Sequence, residues 1–201
     1  EQREAVIENI TNYNDLEIND FQLVMIYQPN NRFNIVFEDL ENFGIHYLIV
    51  TGTQTDWNFV NRIQQNFSKD FIYHTQEIFP VYNRNFSQFQ FEDIGFEEFP
   101  PLEDVFGSLE IQNPGLNILL FQQIEGIDTA LPLLATLENN SVKQGMLFGE
   151  NIWKWRSQSF IDTGSFEEFD NFTGKLIQYL AGNQQSERLA IDSEIVYLEN
   201  E

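Results

Sequence analysis

Hydrophobic positions along this chain alternate between unbroken runs and a rhythm of three to four residues. FQLVMIY (residues 21–27) and HYLIV (46–50) are unbroken, the pattern of strands buried on both faces of a parallel sheet. Between them Phe33, Val36, Phe37, Leu40 and Phe43 recur at helical spacing, with Asn31 placed to cap the start and Gly44 to stop the end. TGTQTD then reads as a loop, and Trp57, Val60, Ile63 and Phe67 mark a second helix capped by Thr55 or Asp56. Strand, helix, strand, helix at these intervals predicts right-handed βαβ units, with residues 21–27 and 46–50 adjacent and parallel.

Prolines and aromatics break the rhythm over residues 70–116. This stretch is too aromatic to be disordered, and it reads as a long excursion with a short strand or two, packed over one edge or the top of the sheet. Strands resume with LNILLFQQI (116–124), LPLLATLE (131–138) and VKQGMLFG (142–149), whose links EGIDTA and NNS are short enough for antiparallel hairpins. A helix is predicted from Asn151 to Ser157, then a longer one with Phe166, Phe169, Phe172, Leu176, Ile177 and Leu180 as its buried stripe. Ser165 caps it, and Glu167 and Glu168 sit in its first turn. The fold class expected is α/β: a mainly parallel central sheet, a late antiparallel extension and helices on both faces. Residues 1–182 form that domain, with 1–20 as a lead-in; 183–201 are a linker followed by a terminal strand or the start of a further domain.

Composition narrows the function. The 201 residues suit one fairly large domain, and the formal net charge of −22 repels phosphate backbones and anionic headgroups. Nucleic acid and direct membrane contact are therefore not expected as partners. With no cysteine, thiol nucleophiles and thiolate metal sites are excluded together. No apolar run approaches the roughly 18 residues that span a bilayer, and the chain opens on Glu1, so it reads as a segment cut from a longer protein.

Ligands of open α/β sheets sit beyond the carboxyl ends of the strands, where three loops fall: QPNN (28–31), TGTQTDW (51–57) and GENIW (149–153). Thr51 and Thr53 in the second loop, with Glu150, Trp153 and Arg156 after the third, are the candidate ligand-binding residues. The glycine-rich signatures of nucleotide sites are missing, so an ordinary strand-to-helix turn competes with an anion site in TGTQTDW. No nucleophile elbow is present. His46 opens an apolar strand and His74 lies in an aromatic stretch, positions typical of packed, hydrogen-bonded imidazoles. Neither has a metal-ligand partner at i+2 or i+4, and no metal or cofactor is expected. The pairs Glu97–Glu98 and Glu167–Glu168 are sequence neighbours that point apart, as solvated or capping charge does.

GENIWKWR (149–156) admits two readings. In one, Trp153, Arg156 and Glu150 line a polar pocket. In the other, the segment is a clamp: Trp153 or Trp155 packs on the sheet while Arg156 stacks or pairs with a carboxylate. Two tryptophans on a short helix cannot both face solvent without a large apolar patch, which favours the clamp.

PPLEDVFGSLEI, NILLFQQIEGIDTALPLLATLENNSVKQGMLFGENIWKWR and FDNFTGKLIQYLA together resemble a domain of long, membrane-anchored bacterial proteins, one like class I glutamine amidotransferases. The similarity runs over about residues 21–182. It implies a flavodoxin-like three-layer sandwich on the side of the membrane facing away from the cytoplasm, joined to further domains of the same parent chain or to envelope proteins. A working enzyme of that class needs a cysteine nucleophile and a histidine base. This chain offers VTGTQ at the elbow position, where a threonine without a base is a poor nucleophile. The expectation is a non-catalytic binding or scaffolding domain of a bacterial envelope protein, not an enzyme; the alternative is a hydrolase or transferase using Thr51, Thr53, carboxylates and Arg156.

Overall fold

The computed structural model describes residues 6–15 and 17–182; the segment expected to be a linker or a following strand, 183–201, lies outside them. The seven strands among the described residues are β1 (Leu23–Tyr27), β2 (His46–Val50), β3 (Phe67–Tyr82), β4 (Leu102–Ile111), β5 (Asn117–Ile124), β6 (Ile127–Asn139) and β7 (Val142–Leu147). They form one sheet in the order β1-β2-β7-β6-β5-β3-β4. Among the described residues four α-helices accompany them: α1 (Asn34–Phe43), α2 (Trp57–Ile63), α3 (Trp153–Thr163) and α4 (Glu167–Ala181).

β1 and β2 are adjacent and parallel, in register from Leu23 opposite His46 to Tyr27 opposite Val50. β7 joins β2 in parallel. The remaining four pairings, β7–β6, β6–β5, β5–β3 and β3–β4, are antiparallel. The mainly parallel flavodoxin-like sandwich is therefore corrected to a mixed, mostly antiparallel sheet that curls into a half-barrel. An isolated antiparallel bridge between Glu103, at the start of β4, and Glu150, just past β7, shows the curl. The reason for the difference is physical: an unbroken apolar run marks a strand and says nothing about its direction. Nor does it fix burial, since β2 is buried on both faces as expected while β1, at the sheet edge, leaves Met25 and Tyr27 exposed.

The stretch 70–116 departs most from expectation. Phe67 opens β3 instead of closing α2, and β3 and β4 are the long arms of a hairpin, not short strands in an excursion. Their period is hard to see because β3 pairs first with β4 and then with β5, and its buried positions switch from Phe67 and Lys69 to Ile78 and Pro80. Between Ile72 and Thr75 the register shifts, so Tyr73 and His74 form a bulge. Only the link 83–101 is an aromatic excursion. Phe91 and Phe96 pack on Phe172 of α4 with centroids 5.3 and 4.9 Å away, and Phe89 meets Tyr179 at 5.1 Å.

Local chemistry explains the helix ends. The Asp56 carboxylate accepts from Phe59 N–H at the start of α2, and Gly44 closes α1 in the left-handed region (φ 65°). Asn30, one residue before the expected cap, accepts from Arg32 N–H and opens a single 3-10 turn that leads into α1. α3 continues to Thr163, beyond the expected Ser157. Alternate residues of β1 point to opposite faces: Val24 and Ile26 join Val36 and Leu40 of α1, whereas Leu23 joins the main core with Leu176 and Leu180 of α4.

Candidate functional site

The carboxyl ends of the three parallel strands meet in one polar cluster. Glu150, after β7, accepts at Oε2 from the Tyr27 hydroxyl (2.9 Å) and from Gln28 Nε2 (2.7 Å), both at the end of β1. Its Oε1 accepts from the backbone N–H (2.9 Å) and the hydroxyl of Thr53, in the loop after β2. Gln28 completes the lattice by accepting from Gln54 N–H at 2.8 Å.

Two glycines make room for it. A Cβ on Gly52 would lie 2.8 Å from Gln28 Nε2 and 2.9 Å from the Glu150 Cβ. Gly149, at φ 144°, turns the chain out of β7 against Leu102, where a side chain would be strained. Burial alone would push the Glu150 carboxyl up, but the bonds from Thr53, Tyr27 and Gln28 together outweigh it and hold it below the usual glutamate range. An ionised carboxylate offers about four lone-pair sites, and all four are taken.

Beneath this lattice lies a second cluster. Thr51, 1% exposed, donates to Asp104 Oδ2 at 3.1 Å, and the Lys69 ammonium reaches the same oxygen at 3.0 Å. Asp104 Oδ1 accepts from Val105 N–H, and Lys69 Nζ lies 5.0 Å from the centre of the Trp57 ring. Burial lowers the Lys69 pKa and raises that of Asp104, and their mutual attraction only partly opposes either shift.

The structure thus divides the sequence candidates. Thr53 and Glu150 converge; Thr51 belongs to the buried cluster; Trp153 and Arg156 join neither. Trp153 is 63% exposed, its indole N–H on Asn151 Oδ1, whereas Trp155 is fully buried and donates to the Pro100 carbonyl at 2.8 Å. Arg156 forks onto Asp170 at 2.7 and 2.9 Å and lies 3.9 Å over the Phe166 ring. GENIWKWR is therefore a clamp through Trp155, with Glu150 separately tying the strand ends.

Sequence reasoning missed Tyr27, Gln28, Lys69 and Asp104. Gln28 carried a signal, as the first residue of a strand-end loop; Lys69 and Asp104, 35 residues apart, carried none. His46 is buried and accepts at Nδ1 from Lys143 N–H, as expected of a packed histidine. His74 is exposed, contrary to expectation, in a stretch of β3 where Ile72, Tyr73 and Thr75 are exposed as well. With Thr53, Tyr73, Thr75 and Val105 it lines a cleft of about 200 Å³, below the range of drug-sized ligand sites.

Among the described residues, no group of three or more His, Asp or Glu side chains is placed to hold a metal ion, and no helix is long and apolar enough to cross a membrane. The fold and site define a class: a mixed α/β half-barrel whose parallel strand ends are tied by one saturated carboxylate. Comparison with family models, curated proteins and solved structures returns no match.

Proposed function

We propose that the chain is a non-catalytic binding or scaffolding domain. The observation that supports this reading is the saturation of Glu150. Thr53 donates its hydroxyl to that carboxylate, which looks like a nucleophile beside a base. Yet the donors that saturate the carboxylate hold it below its usual range, so it is a weak base for an alcohol. Thr51 is sealed on Asp104, and His46 is bonded within the sheet at the far end of β2. The cysteine that glutamine amidotransferases use is missing from the chain.

The setting is part of the proposal and rests on the resemblance of residues 21–182. The domain would stand outside the cytoplasm in a membrane-anchored bacterial envelope protein, with neighbouring domains of the parent chain or other envelope proteins as partners. Purified protein incubated with glutamine should release ammonia at the buffer rate. Turnover abolished by Thr53→Ala or Thr51→Ala would establish the hydrolase alternative instead.

A further inference from the structure

The outer face of α3 carries an apolar stripe that no other element of the described residues covers. Trp153, Phe160 and Ile161 share that face, opposite the buried Trp155 and Ser159, and are 63%, 46% and 73% exposed. Phe166 stacks on Phe160 with centroids 4.6 Å apart, and Arg156 covers its ring, so the stripe ends there. The cations of α3 are already matched, Arg156 by Asp170 and Lys154 by Glu103. The charged residues that follow Phe160 along the stripe in sequence are acidic: Asp162, Glu167 and Glu168.

Contiguous exposed apolar side chains with a polar rim mark an interaction surface. A second copy of this chain would bring two acidic rims together, between molecules each of net charge −22, so self-association through α3 is opposed. The complementary occupant is basic. We infer that α3 docks an amphipathic, Lys- or Arg-bearing segment of a partner protein, with apolar side chains on Trp153, Phe160 and Ile161 and cations beside the flanking carboxylates. The inference rests on the binding reading and names its surface and partner chemistry, but it uses nothing of the strand-end cluster.

The probe is a synthetic amphipathic helical peptide of Leu and Lys, titrated by calorimetry and by tryptophan emission. Binding should shift the emission to the blue as Trp153 leaves water, and should weaken as salt is raised. Ile161→Ser and Trp153→Ser change no charge and remove exposed side chains, so both variants should stay folded and lose about tenfold or more in affinity.

Three results would overturn the inference. The first is no binding. The second is binding that Ile161→Ser and Trp153→Ser leave unchanged, since the peptide would then be held by net charge alone. The third is a dimer in sedimentation that those variants dissolve, since the occupant would then be a second copy. None of these bears on ammonia release from glutamine, so failure here is distinguishable from failure of the non-catalytic reading.

Discussion

The Lys69 ammonium and the Asp104 carboxylate meet at 3.0 Å, with their side chains 5% and 0% exposed. They hold the β3–β4 hairpin to the end of β2, because Thr51 donates to the same carboxylate oxygen. Desolvation nearly cancels the attraction in such pairs, and removing one partner leaves a buried charge uncompensated.

Lys69→Met should therefore destabilise by about 3–5 kcal/mol. The double variant Lys69→Met/Asp104→Leu should recover about 1 kcal/mol or more of that loss. Asp104 already titrates above the usual carboxylate range through burial, and loss of Lys69 raises it further. A raised carboxyl binds its proton more tightly in the folded state, so the Lys69→Met deficit should shrink as pH falls through the folded pKa. Urea midpoints of the single and double variants across pH test both statements; a double variant no more stable than the single one would contradict the pairing argument.

Glu150 has the opposite sign. Its folded pKa lies below the unfolded value, so its stabilisation is present above the ordinary glutamate pKa and is lost as pH falls through the depressed one. Glu150→Gln should flatten the acid limb of stability below the ordinary glutamate pKa. Gly52→Ala, which forces a Cβ against Gln28 and Glu150, should cost about 1–3 kcal/mol at neutral pH. Thermal melts of the two variants and the parent protein are the measurement, and an unchanged acid limb in Glu150→Gln would show that the carboxylate does not tie the strand ends.

The two tryptophans of α3 should separate cleanly. Trp155→Ala removes a fully buried ring and its bond to the Pro100 carbonyl, and should cost about 3–5 kcal/mol. Trp153→Ala removes an exposed ring and should stay within about 0.5 kcal/mol of wild type. Denaturant midpoints at constant slope decide this; equal losses would mean that Trp153 packs as Trp155 does.

What this sequence determined by itself is local. FQLVMIY and HYLIV are strands, as their unbroken apolar runs predict, but only the second is buried on both faces; β1 lies at the sheet edge with Met25 and Tyr27 exposed. Asp56 caps α2 and Gly44 ends α1 because a side-chain acceptor and a left-handed residue are needed at those places. The βαβ start was legible for the same reason and placed Thr53 at a strand end, as the run VKQGMLFG placed Glu150 at another.

Tertiary structure decided the rest. Strand direction beyond β2 and β7 depends on which edge a strand meets, and β3 meets two, so its buried side changes midway and no single period marks it. The buried Lys69–Asp104 pair has no sequence signature, because charged residues enter a core only when a distant partner arrives with them. Trp153 and Trp155 were interchangeable in GENIWKWR until α3 turned one face toward Pro100 and the aromatic link 83–101. Rotation about a helix axis is set by what the helix packs on, and that information is spread over the whole chain.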